Sequence, residues 1–218
     1  MKGLLIKDFR FLLGQKSSML IFAGLGLFFL LTGEEVSFGI MYTMLMMSIF
    51  STSSISYDSH ENGMAFLLTL PVNKKSYVAE KYLFALILLL SMGGIMAVLA
   101  LGCDVFGVVT FSVQALTDAL LAGIGFGIVM ISLMIPIYVI FGPEKARIAV
   151  VMIMGVTFAV YYVLTKIFGE QQAELERWIV NLQNMGKVQG TLLVIGLLAG
   201  ILAISLMITI CGLEKKEY

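Results

Sequence analysis

Histidine, cysteine and proline are scarce in this chain, with one, two and three copies in 218 residues, and charged residues make up only 13%. The lone histidine, His60, and two cysteines far apart in sequence offer no metal-ligand spacing. His60-Glu61 has no second histidine at the interval a zinc protease helix needs, so His60 reads as a polar contact residue. The G-x-x-x-x-G-K-S/T phosphate loop is missing too. Gly14-Gln15-Lys16-Ser17 lacks both the adjacent Gly-Lys pair and the leading glycine, which excludes nucleotide hydrolysis by that route. Fourteen basic and 14 acidic residues cancel, giving no support for nucleic-acid binding. Charge is also absent from the interior of the long apolar runs. Asp104 and Asp118 fall at the outer ends of such runs, and no buried ionisable group of the kind ion-coupled transporters use is expected.

What is abundant is apolar surface. Hydrophobic residues are 60% of the chain and the mean hydropathy is +1.01, well above the 45–50% typical of soluble domains. An all-α polytopic membrane protein follows, a single domain over 1–218. Spans need about 20 apolar residues, and six are expected, at 17–33, 36–57, 82–103, 119–141, 148–168 and 190–212. Gly33-Glu34-Glu35 is a poor cleavage site, so the first run reads as a retained span, and its tight turn makes the first two spans an antiparallel hairpin. With the N-terminus inside, Lys2, Lys7, Arg10, Lys16, Lys74, Lys75, Lys81, Lys145, Arg147, Lys215 and Lys216 are cytoplasmic, against Lys166, Arg177 and Lys187 outside. Both termini are therefore expected in the cytoplasm. Cys103 and Cys211 end the third and sixth spans on opposite sides, out of reach of one another.

Three segments do not span. In residues 1–15, Leu4, Leu5, Phe9, Leu12 and Leu13 recur at helical spacing while Lys2, Lys7, Asp8 and Arg10 fall largely on other faces, the pattern of an interfacial helix on the inner leaflet. In 57–81, the longest inside loop, Asp58 or Ser59 is placed to cap a helix carrying Met64, Phe66, Leu67 and Leu70. Pro71 ends that helix, and Asn73 caps the next one, which runs into the third span. In 169–189, Leu175, Trp178, Ile179, Leu182 and Met185 share a face, which reads as an outer amphipathic helix anchored by its tryptophan. The second span carries a run of hydroxyls, Ser48, Ser51, Thr52, Ser53, Ser54 and Ser56. Two readings stand for it: close helix packing, or a substrate path formed by Met41, Met44, Ser48, Ser51 and Thr52.

The opening MKGLLIKDF, Tyr57-Asp58, Leu70-Pro71-Val72-Asn73-Lys74-Lys75 and Lys81-Tyr82 together resemble the small permease subunits of type-2 ABC exporters, closest in pattern to the phenol-soluble modulin peptide exporter permeases of Gram-positive bacteria. The motifs cover residues 1–15 and 57–82; elsewhere the likeness is one of span count and of the outer amphipathic segment. Gly63 departs from the pattern by loosening the helix between spans two and three. The resemblance implies a non-catalytic permease of a bacterial cell membrane that pairs with a second copy or a related permease, contacts membrane lipid, and binds a cytoplasmic ABC ATPase dimer where ATP and Mg reside. It also implies that a coupling helix, through Ser59, His60, Glu61, Met64, Phe66 and Leu67, enters a groove on that ATPase. Amphipathic peptides or lipid-like molecules are the expected cargo. A membrane scaffold or immunity protein without transport, or an intramembrane enzyme, are the competing readings.

Overall fold

The computed structural model describes residues 2–32, 36–59, 63, 73–152, 155 and 187–215. The helices are α1 (Lys2–Gly14), α2 (Lys16–Thr32), α3 (Val36–Phe50), α4 (Ser53–Ser59), α5 (Lys74–Val105), α6 (Val113–Phe141) and α7 (Lys187–Glu214). Residues 143–152 are helical as well, and no strand occurs among the described residues. Four stretches are long and apolar enough to cross a membrane, Ser37–Ser59, Lys74–Val105, Val113–Phe141 and Leu192–Glu214. The pair α1 and α2, bent by 70°, makes a fifth if taken together. Of the six expected spans, 148–168 lies mostly outside the described residues, as do 169–186 of the expected outer helix.

α2 and α3 are antiparallel neighbours. Their ring contacts run in opposite senses along the two helices, Phe22 with Phe50 and Phe29 with both Tyr42 and Phe38. Two glycines permit the approach. A Cβ on Gly39 would sit 2.7 Å from the Gly26 carbonyl oxygen and 2.9 Å from the Leu30 nitrogen, and one on Gly26 would collide with the Thr43 hydroxyl. Small residues replace hydrophobic drive as the means of helix contact in lipid, because lipid tails are as apolar as leucine. The same device recurs where α3 meets α5 and α6. Met44 and Ser48 pack over Gly93, Gly123 and Gly127, and a Cβ on Gly123 would lie 2.5 Å from the Met44 sulfur.

The hydroxyl run breaks a helix. Ser51, Thr52 and Ser53 each donate a side-chain hydrogen bond to the carbonyl three residues back, at 2.6, 2.7 and 2.6 Å. The backbone tightens with them, Thr52 N–H bonding Ile49 O and Ile55 N–H bonding Thr52 O. Consecutive back-bonding of this kind competes with the regular helix ladder and bends it. It sets the junction between α3 and α4.

α5 has 32 residues, about 48 Å at the helical rise. It outruns a hydrocarbon core of roughly 30 Å, so it begins eight residues before the expected start of the span at Tyr82. Asn73 holds the N-cap position, but its side chain caps nothing; its carbonyl accepts from Tyr77 N–H. Asp58 and Ser59 lie at the end of α4, and the helix that either is expected to cap falls almost entirely outside the described residues. At the far end of α5 the turn through Gly107, at φ 68°, leads to Ser112, whose hydroxyl caps α6 by accepting from Ala115 N–H at 3.1 Å.

Inside α6, Pro136 has no N–H, which frees the carbonyl of Ser132 four residues back. Ser205 on α7 donates to that carbonyl at 2.5 Å. Thr209 donates to the Ser205 carbonyl at 2.8 Å. With both hydroxyl protons committed, Tyr82 on α5 is the donor shared by Ser205 Oγ at 2.6 Å and Thr209 Oγ1 at 2.9 Å. Proline and hydroxyls thus lock three spans together in an apolar setting. Ser205→Ala strips the partner from a buried carbonyl and is expected to lower stability by about 1–3 kcal/mol. Thermal melts of the detergent-solubilised chain read this, with Ser91→Ala, a more exposed hydroxyl bonded to its own helix, shifting little.

Candidate functional site

Three helices bring residues at i, i+4 intervals to one point. Leu4, Asp8 and Leu12 are the buried face of α1, Ser54 and Asp58 lie on α4, and Tyr77 and Lys81 lie on α5. Their meeting overturns two expectations. Asp8 does not face away from the apolar stripe of α1 but sits in the middle of it, while Leu13 is 69% exposed and Phe9 turns its edge to Phe84. And buried ionisable groups exist: Asp8, Asp58, Glu80 and Lys81 are all inside.

Lys81, 1% exposed, is the centre. An ammonium has three donors, and three oxygen partners surround this one, Asp8 Oδ2 at 2.5 Å, Asp58 Oδ2 at 2.7 Å and Ser54 Oγ at 2.8 Å. Its nitrogen also lies 5.2 Å from the Tyr77 ring centre. Ser54 hands its own proton to Asp8 Oδ2 at 3.0 Å, and the Tyr77 hydroxyl donates to Asp58 Oδ2 at 3.1 Å. Lys7, partly exposed, closes the cluster by pairing with Asp58 Oδ1 and with Asp8 Oδ1 at 3.2 Å. On α1, burial opposes ionisation of both Asp8 and Lys7. The Lys81 ammonium more than offsets this for Asp8, holding its carboxyl below the usual range, and Asp58 together with Asp8 keeps the Lys7 ammonium above its own. Glu80 adds a third buried carboxylate against two ammoniums, its nearest cation being Lys81 at 3.8 Å.

The cluster marks one end of the bundle. Lys74 at the start of α5 donates to the Leu213 carbonyl at 3.2 Å, and Lys75 faces Glu214 at 3.6 Å, which draws the end of α7 to the same place. The start of α1, the end of α4, the start of α5 and the end of α7 therefore gather at one end of the bundle. No group of metal-ligating side chains forms among the described residues. The arrangement is an ionic fastening between the N-terminal helix and the two helices that flank residues 60–72 in sequence.

Of the expected ATPase-contact residues, Ser59 closes α4 and bonds the Ile55 carbonyl at 3.0 Å. His60, Glu61, Met64, Phe66 and Leu67 lie outside the described residues. Of the expected path residues, Met44, Ser48, Ser51 and Thr52 are buried and Met41 is half-buried. They sit together along α3 and its break. The ion cluster was missed in the sequence because its partners are 46 and 73 positions apart. The signal that points to it is Asp8 in phase with Leu4 and Leu12, and Lys81 in phase with Tyr77.

A family profile described as ABC-2 family transporter protein matches residues 3–213. No curated protein and no solved structure gives a significant match.

Proposed function

Because the chain belongs to the ABC-2 transporter family, as the membrane permease subunit of an ABC transporter, we propose that it exports amphipathic peptides or lipid-like molecules, driven by ATP hydrolysed in a separate cytoplasmic ATPase. The observation that carries this reading is the fastening of α1, α4 and α5 by Lys81, Asp8 and Asp58. These helices bracket 60–72, the segment that by resemblance meets the ATPase through Ser59, His60, Glu61, Met64, Phe66 and Leu67. A push on a loop held between two tied helices moves them as one body, which is what alternating access by rigid-body motion requires. A loop tethered to independent helices would dissipate the same push.

The cargo route lies along α3, at Met41, Met44, Ser48, Ser51 and Thr52, and opens when α3 parts from α6. A contact built on glycines and a flexible methionine, Met44 over Gly93 and Gly123, separates and re-forms without side-chain interlock. Two such permeases, identical or related, enclose the route, with both termini of each on the cytoplasmic side of a bacterial cell membrane.

Co-expression with the candidate ATPase and affinity purification from detergent test the reading. The wild-type chain is expected to retain the ATPase. Glu61→Arg with Phe66→Asp is expected to cut the retained amount by about tenfold or more, as loss of an interface anchor does. Undiminished retention would remove the coupling helix from this account.

A further inference from the structure

At the end of the bundle that holds the ion cluster, two adjoining grooves run along α1. One, of about 640 Å³, has Ile6, Lys7 and Arg10 on its wall. The other, of about 460 Å³, has Phe50, Tyr138 and Arg147. Phe11, Gln15 and Tyr57 line both and form the ridge between them, the Phe11 and Tyr57 rings 4.8 Å apart. Among the described residues, no carboxylate lines either groove. Lys7 is turned to Asp58 and Asp8, which leaves Arg10 and Arg147 as cations without an ion pair among the described residues.

Donors and acceptors are sorted in the same sense. Thr52, Ser53 and Ser56 line the second groove, but each gives its proton to a backbone carbonyl three or four residues back. The Tyr57 and Tyr138 hydroxyls and the Gln15 amide have no such partner among the described residues. Each groove thus offers one guanidinium to an anion, Arg10 in the first and Arg147 in the second, with several free donors, between aromatic and aliphatic walls. Guanidinium prefers a bidentate oxyanion such as phosphate. The exposed apolar flank of α1, with Ile6 and Leu13 uncovered, is what an amphipathic helix presents to acyl chains.

We propose that this double groove is a binding site for an anionic glycerophospholipid, its phosphodiester held by Arg10 and Arg147 and its chains lying against Ile6, Phe11 and Phe50. Charge complementarity selects the occupant, because a zwitterionic lipid brings a cation to a groove that already has two. The site pins α1 at headgroup level, beside the ionic fastening that joins it to α4 and α5.

The full chain, delipidated in detergent and exposed to an equal mixture of phosphatidylglycerol and phosphatidylcholine, reports on this by native mass spectrometry, an assay that needs neither ATPase nor cargo and so stands or falls apart from the permease reading. Wild-type protein is expected to retain phosphatidylglycerol about tenfold over phosphatidylcholine, the factor that 1.4 kcal/mol of preference gives. Arg10→Gln with Arg147→Gln is expected to abolish the preference, and Lys145→Gln, an exposed cation outside the groove, to keep it. Equal retention of both lipids by the wild type, or an undiminished preference in the double variant, would overturn the proposal. So would displacement of the lipid by excess inorganic phosphate, which would mean a simple anion site, or Gln15→Cys cross-linking between two copies in vesicles, which would fill the groove with protein. Unchanged thermal melts for the double variant ensure that a lost preference is not lost folding.

Discussion

Lys81→Met is expected to destabilise the folded chain by about 3–5 kcal/mol, the usual result of removing one partner from a buried ion pair. The substitution keeps the volume of the side chain and takes away the ammonium that three oxygens surround, Asp8 Oδ2, Asp58 Oδ2 and Ser54 Oγ. Lys7, at 3.2 Å, is then the one cation left beside Asp8, and three buried carboxylates, Asp8, Asp58 and Glu80, confront a single ammonium. In a chain of this length the loss corresponds to a melting temperature lower by roughly 10 °C or more, read by size-exclusion recovery after heating in detergent. Adding Asp8→Asn and Asp58→Asn to Lys81→Met is expected to recover much of the loss, because neutral partners in place of buried charges are often nearly as stable as the pair. Glu80→Gln tests the charge count from the other side. It removes the carboxylate in excess and is expected to leave the melt unchanged or raise it. If Lys81→Met melts like the wild type, the ionic fastening contributes nothing and rigid coupling of α1 to α4 and α5 loses its basis.

Gly39→Val is expected to be comparably damaging for a different reason. The added Cβ would stand 2.7 Å from the Gly26 carbonyl oxygen and 2.9 Å from the Leu30 nitrogen. Both are backbone atoms, so no side chain can swing aside and the helices themselves must separate. Overpacking a tight contact costs about 1–3 kcal/mol, and here it also undoes the neighbouring aromatic contacts of Phe29 with Phe38 and Tyr42. Gly24→Ala and Gly94→Ala serve as references, since nothing lies within 4 Å of either added Cβ. Both are expected to hold or gain stability, as alanine is the better helix former. Equal melts for Gly39→Val and Gly24→Ala would mean that α2 and α3 do not meet at this point. The two glycines are indistinguishable in sequence, each set in an apolar run, and only the neighbouring helix separates them.

The same distinction governs what could be read in advance. Long helices were legible because a span of apolar residues has one stable form in lipid. The face of α1 was not, because the counterion that draws Asp8 into the apolar stripe, Lys81, lies 73 positions away. The hydroxyl run in the second span was visible, and both packing and a cargo path were reasonable uses for it. Its observed effect is more local: the protons of Ser51, Thr52 and Ser53 go to carbonyls within their own turn and break the helix. Nothing in the sequence around the glycines at 93, 123 and 127 marks them as the seats of Met44 and Ser48.

The carbonyl released by Pro136 has a bearing on how the protein is made. Synthesis runs from the N-terminus, so α6 enters the membrane with its proline before α7 has left the ribosome. Until Ser205 arrives, the Ser132 carbonyl has no partner from α7, and an unsatisfied backbone group in hydrocarbon costs several kcal/mol. A chain stalled or cleaved before α7 therefore keeps an uncovered backbone carbonyl on α6. The arrival of α7 covers it, so the serine that joins α7 to the bundle also removes that polar flaw.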